Sequence, residues 1–188
     1  MIAVMKQEKK LIHPLKFVMY AGCASIVMIF AGLCSAYIVK RNQANWITYD
    51  VPVIFYYSTA VILLSSLTLI LSRKAFMDRQ MKQYKMWLFF SVVLGLLFIF
   101  LQYYGFKELW ASGQTITRNV SFSFLYVIVG VHAIHVLGGA AALLVMYLKS
   151  YSRKRKNYNP LYIDLMNTYW HFVDFLWIYL LVFLIFMG

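Results

Sequence analysis

Five stretches of this chain run without Lys, Arg or Glu for longer than a bilayer is thick. They are residues 17–39, 51–72, 86–106, 119–148 and 165–187, the shortest being 21 residues. The hydrocarbon core measures about 30 Å and an α-helix rises about 1.5 Å per residue, so about 20 apolar residues cross it. A chain inside lipid must satisfy its backbone polar groups internally, which leaves helices or a closed barrel. Barrel strands alternate apolar and polar residues over about ten positions. Residues 61–71 and 94–101 show no such alternation. The connecting pieces are 11 to 16 residues long, too short for a separate soluble domain. Charged residues make up 13% of the chain, against roughly a quarter in a soluble domain. The expected fold is all-α: a single domain over 1–188 with five transmembrane helices at about those five ranges. The first run follows a 16-residue polar leader and precedes four further spans, so it is expected to remain as a helix rather than be cleaved as a signal peptide.

The formal charge of +12 raises the question of nucleic acid, but the distribution of the 18 Lys and Arg answers it. Lys6, Lys9, Lys10 and Lys16 lie in the leader; Arg73, Lys74, Arg79, Lys82 and Lys85 lie between the second and third spans. Lys149, Arg153, Lys154, Arg155 and Lys156 lie between the fourth and fifth. The alternate loops hold only Lys40, Arg41, Lys107 and Arg118. This asymmetry places the N-terminus on the cytoplasmic side and the C-terminus opposite. Basic residues at that depth meet anionic lipid headgroups, with Arg153, Lys154, Arg155 and Lys156 as candidate contacts. Nucleic acid is not an expected partner.

Cys23 and Cys34 stand on one helix about 16 Å apart, beyond the reach of a disulfide. The informative side chains are the polar ones inside the spans, because they are costly there. They are Gln102, His132, His135, His171 and Asp174. His132 and His135 share a helix face, as do His171 and Asp174, so a polar network between the fourth and fifth helices is expected. Gly130, Gly138, Gly139 and residues 140–142 form a small-residue stripe suited to close helix approach, with Trp170 and Trp177 as large packing partners. Two readings of the histidines stay open. They bond between helices, or a pair drawn from His132, His135 and His171 ligates a haem, as in the haem-b anchor of a quinone-linked dehydrogenase. A zinc or copper site needs further convergent ligands. Neither a phosphate-cradling Gly-rich loop nor a hydrolytic triad is visible in the spacing.

Particular strings go further than composition. Tyr169-Trp170-His171-Phe172-Val173-Asp174 with Trp177 resembles the last-helix signature of subunit III of the haem–copper oxidases. Gly130-Val131-His132-Ala133-Ile134-His135-Val136 with Gly139 resembles that family's preceding helix. Ser58-Thr59 with Ser65-Ser66, Leu94-Gly95 with Gln102, and Phe30-Ala31-Gly32 with Ala36-Tyr37 are similar to its earlier helices. The resemblance implies a short five-helix bacterial type: a non-catalytic, multi-pass subunit of a proton-pumping terminal oxidase in the cytoplasmic membrane. It implies no cofactor on this chain, haems and copper in partner subunits, and bound phospholipid. The implied partners are subunit I above all, subunit II, a small subunit IV and a respiratory supercomplex. The implied electron donor is cytochrome c, with quinol as the alternative. The buried glutamate of many family members falls at Ile26. The family's Gln-x-x-Glu reads Gln102-Tyr103-Tyr104-Gly105, and Asp164 stands where the family often has Glu.

Overall fold

The computed structural model describes residues 13–42, 46–49, 51–151 and 160–187. Among these residues lie five α-helices and no strand: α1 (Pro14–Arg41), α2 (Val53–Met77), α3 (Met81–Ala111), α4 (Val120–Ser150) and α5 (Pro160–Met187). All five are long and apolar enough to cross a membrane. The chain is an all-α, multi-pass membrane protein.

The helices outrun the apolar stretches. α2 continues through Arg73 and Lys74, α3 starts ahead of Lys82 and Lys85, and α5 includes Asp164. Hydrophobicity sets what must be buried, whereas Lys and Arg are good helix formers that prolong the coil until the chain has to turn. Most of the basic residues between the second and third spans therefore stand on helix ends. Arg79 alone of them sits in the tight turn 78–80, with φ 57°. Two starts carry local caps. Pro14 opens α1 behind His13, whose Nδ1 accepts the Leu15 N–H at 3.3 Å, and the Asn119 side chain accepts the Ser121 N–H at 2.9 Å. Each cap satisfies a donor that the first helical turn leaves without a partner.

Packing closes four helices into a ring: α2 against α3 and α5, and α4 against the same two. α1 lies outside, on α4 and α5. Burial follows, with α5 the most enclosed helix and α1 the least. Trp170 and Trp177 of α5 fill the middle, both fully buried. The Trp170 indole wedges between α3 and α4 where each has a glycine. A Cβ at Gly95 would sit 2.9 Å from Trp170 Cη2, and one at Gly139 would sit 3.1 Å from Cζ3. Gly105 admits Phe55 in the same manner. Gly130 and Gly138, grouped with Gly139 in the sequence stripe, behave differently: a Cβ at either would meet nothing within 4 Å. Gly130 therefore makes no close approach within this chain.

At the end of the bundle where α1 and α5 finish, the Tyr37 hydroxyl donates to the Met187 carbonyl at 3.0 Å and meets the Tyr49 hydroxyl at 3.1 Å. The Tyr37 ring is edged by Trp46 and Phe183 at centroid distances of 4.8 and 5.3 Å. Burial raises the Tyr49 phenol above its ordinary pKa, so it stays a neutral hydrogen-bonding group. This cluster holds the outer helix to the end of α5.

The wedge gives a direct test. Gly95→Ala forces a methyl against a fully buried, rigid indole and should cost about 1–3 kcal/mol, as overpacking usually does. Gly130→Ala meets open space and should be neutral or gain a few tenths of a kcal/mol from helix propensity. Denaturant-induced unfolding of the two variants in detergent, followed by circular dichroism, separates them.

Candidate functional site

The polar side chains of the interior converge on one face of α2. A serine or threonine in a helix can donate its proton back to the carbonyl three or four residues earlier, leaving its oxygen free to accept. Ser58 and Thr59 both do this toward the Phe55 carbonyl, at 2.8 and 2.7 Å. Ser58 then accepts the Gln102 amide of α3 at 2.8 Å, and Thr59 accepts the Trp177 indole N–H of α5 at 2.9 Å. Two turns on, Ser65 donates to the Ser91 carbonyl of α3 at 3.1 Å. Ser72 donates to the Tyr84 carbonyl at 3.3 Å.

Ser66 carries the densest contact. Its hydroxyl donates to Asp174 Oδ2 and lies 2.9 Å from His171 Nδ1. A serine has one proton, so with that proton on Asp174 the bond to His171 is donated by Nδ1–H. The network expected between the fourth and fifth helices is thus corrected: His171 and Asp174 turn to α2. The spacing of three put them on one face but could not say which neighbour that face meets. The three residue types of a hydrolytic triad are present in the wrong order. A working triad has histidine between serine and acid, so that it can take the serine proton while the acid orients it. Here serine is in the middle, and its proton already goes to the acid.

The histidines of α4 do other things. His132 is 1% exposed and stacks on Trp177, with centroids 5.2 Å apart and planes 25° from parallel. The rings of Phe30 and Phe98 edge it at 6.3 and 6.5 Å. Neither of its ring nitrogens finds a hydrogen-bond partner among the described residues. It packs as an aromatic ring. His135 returns its Nδ1 to its own helix, 2.8 Å from the Val131 carbonyl, and its backbone carbonyl accepts the Tyr169 hydroxyl at 3.0 Å. Among the described residues no group of three or more His, Cys, Asp or Glu side chains is placed to hold a metal ion. Cys23 and Cys34 are both free thiols.

The sequence did not single out two further features, both at the basic end. Asp164 of α5 binds Arg73 Nε of α2 at 2.8 Å and lies 3.7 Å from Lys16 Nζ of α1, so one carboxylate ties three helices. All three groups are charged near a helix end and were legible as such, but their convergence required the ring. A groove of about 700 Å³ opens beside them, walled by Met19, Ala142, Val145 and Met166, with Lys149 and Tyr162 toward its charged end. Of the basic residues expected at headgroups, Arg153, Lys154, Arg155 and Lys156 lie outside the described residues.

Removing the Ser66 hydroxyl leaves Asp174 and His171 buried without their shared partner. Ser66→Ala should destabilise the chain by about 1–3 kcal/mol, the cost of orphaning buried polar groups. Ser25→Ala, which removes only a bond to its own helix on an exposed face, should change little. Thermal unfolding of the two purified variants compares them.

Comparison with known proteins adds an independent line. The family model for cytochrome c oxidase subunit III matches residues 45–188. Cytochrome c oxidase subunit 3 of Bacillus sp. (strain PS3) is 28% identical over 166 residues, which cover 86% of this chain and 80% of that protein. The probable cytochrome c oxidase subunit 3 of Nocardia farcinica (strain IFM 10152) is 30% identical over 165 residues, covering 82% of this chain and 79% of that protein. The subunit 3 of Drosophila yakuba is 33% identical over 125 residues, which are 66% of this chain and 47% of the fly protein.

Proposed function

Because this chain belongs to the cytochrome c oxidase subunit III family, we propose that it is the non-catalytic third subunit of a proton-pumping haem–copper oxidase. The overall reaction is reduction of O₂ to water, with cytochrome c as donor. Haems and copper reside in the partner subunits. This subunit packs against subunit I within an assembly that also holds subunit II, a small subunit IV and, in the membrane, a larger respiratory assembly.

The observation that carries this reading is the fate of the histidines. A haem anchor needs imidazole nitrogens from two helices facing one porphyrin-wide gap. His132 is instead stacked on Trp177 and edged by two phenylalanines, and His171 gives Nδ1 to Ser66. These side chains are engaged in packing and in bonds between helices. A visible spectrum of the purified chain decides between the two: a colourless polypeptide that copurifies with an oxidase supports the proposal, and a bound b-type haem ends it. Redox titration of the intact oxidase with cytochrome c and with quinol identifies the donor.

We place the N-terminus in the cytoplasm, with the Arg73–Asp164–Lys16 cluster and the groove at the inner leaflet, on the strength of the charge asymmetry. The groove suits one acyl chain of a phospholipid, its apolar walls along the chain and Lys149 near the phosphate. Arg79→Cys should react with a membrane-impermeant thiol reagent only from the cytoplasmic side, and reaction from outside would invert the topology.

Support for proton uptake is indirect in this reading. A relay needs a group that changes protonation near working pH. Residues 17–39 contain neither carboxylate nor imidazole, and the side chain at the position of the family's acid is Ile26, half-buried against the core. The subunit then acts by shielding and stiffening subunit I. Deleting it should shorten the oxidase's working lifetime, measured as the inactivation rate during steady-state O₂ consumption. Ile26→Glu should bring no gain in turnover and cost about 2–4 kcal/mol of insertion or packing energy. A higher turnover in that variant would require a direct path through α1.

A further inference from the structure

The end of the bundle opposite the basic belt holds few cations: Lys40, Arg41, Lys107 and Arg118. Two of these four, from elements far apart in sequence, line one recess of about 510 Å³. Lys40 comes from the last turn of α1 and Arg118 from the segment between α3 and α4. Trp46, Ile116, Asn119 and Val120 complete most of the wall, and none of the described residues lining the recess is acidic.

The recess is organised before any ligand arrives. Gly113 ends α3 with φ 76°, a conformation that favours glycine. Its carbonyl accepts Arg118 Nη1 at 2.9 Å, and the Arg118 N–H donates to the Thr115 carbonyl at 3.1 Å. The guanidinium is thereby tethered by one of its five donors with the others left over. Immediately after it, Asn119 caps α4, so the positive end of that helix dipole faces the same region. Lys40 taken alone has an ordinary reason to be where it is, since a cation is favourable at a helix C-terminus. A second cation in the same recess raises the local potential, and an anion there lowers it.

We propose that this recess is a phosphate-binding site, filled by the phosphodiester of a phospholipid in the leaflet opposite the basic belt. Three sources of positive charge from different directions suit an anion with several equivalent oxygens, and a planar Arg fork matches two of them. Trp46 marks headgroup depth. Ile116 and Val120 are 45% and 48% exposed beside the cations, apolar surface that a lipid's glycerol and first methylenes cover and a free ion does not. This site is separate from the groove at the basic end and does not rest on the assignment of a partner subunit.

The test uses the intact oxidase in detergent and three probes: spin-labelled phosphatidylglycerol, spin-labelled diacylglycerol and inorganic phosphate. The double variant Lys40→Gln/Arg118→Gln should weaken phosphatidylglycerol association about 30-fold, from about a factor of five for each basic residue at a headgroup surface. Diacylglycerol, which lacks the phosphate, should bind wild type and variant alike. Lys40→Arg/Arg118→Lys keeps both charges and should restore the lipid, which separates lost charge from lost folding. Displacement of the lipid by millimolar inorganic phosphate supports the phosphate chemistry and adds a soluble source; failure to displace it assigns the site to lipid alone. Equal phosphatidylglycerol binding in wild type and double variant overturns the proposal. So does an equal loss of both lipid probes, which would make the walls rather than the charges the binding element. Loss of a neighbouring protein chain from the variant, with lipid binding unchanged, also overturns it in favour of a protein carboxylate.

Discussion

No water relieves a buried donor or acceptor inside a bilayer, so the polar side chains of α3 and α5 have to find partners on another helix. They find them on α2. Ser58 takes Gln102, Thr59 takes Trp177, and Ser66 takes both His171 and Asp174. The order of these positions along α2 fixes the height at which α5 passes it. The side of α2 they occupy fixes which neighbours it has. A single such bond in a membrane is worth only about 0.6 kcal/mol on average, so none of them holds the ring by itself. Their effect is selective: a slide or rotation of α5 would break several at once and leave Asp174 in lipid without a partner.

Shape completes what the hydrogen bonds begin. Lipid tails are as apolar as leucine, so burying leucine between helices supplies little drive to associate in a membrane. Close fit supplies it instead. Trp170 is the largest rigid group available, and it reaches across the ring to two helices only because Gly95 and Gly139 leave room for it. The same indole that joins α3, α4 and α5 excludes other rotations of each, since any other residue of α3 or α4 at those positions would bring a Cβ into the ring. α1 has no such wedge and lies outside.

The spans were legible because charge is so costly at the bilayer centre that each crossing keeps Lys, Arg and Glu out for 21 residues or more. The helix ends were not, since helix propensity does not stop where the membrane does. The glycines show how far spacing alone reaches. Nine residues separate Gly130 from Gly139, and at roughly 100° per residue that is about half a turn off register. The two lie on opposite faces of α4, which was available from the sequence and argues against a single stripe. The choice of α2 over α4 as the partner of His171 and Asp174 was not available. It depends on which helices are neighbours in the ring, and Ser66 is one of several hydroxyls that any helix face might offer. His132 was legible as a buried polar residue, but its stacking on Trp177 needs two helices at a known height.

The outer helix is where the chain departs most from its wider family in what it can do chemically. α1 is fastened near its two ends, by Lys16 to Asp164 at one and by Tyr37 to Met187 at the other. With the ends held, the middle is free to be apolar, and Val27, Met28 and Ile29 stand about half exposed or more, turned away from the ring. Ile26 turns the other way, toward the core. An acid there would need a partner from α4 or α5. The imidazole nearest in kind, His135 of α4, already meets Phe30 one turn along and commits its Nδ1 to Val131. The aromatic and aliphatic wall around Ile26 is therefore built for a side chain without charge. Carrying a proton along α1 would take a rebuilt neighbour on α4 as well as a new carboxylate.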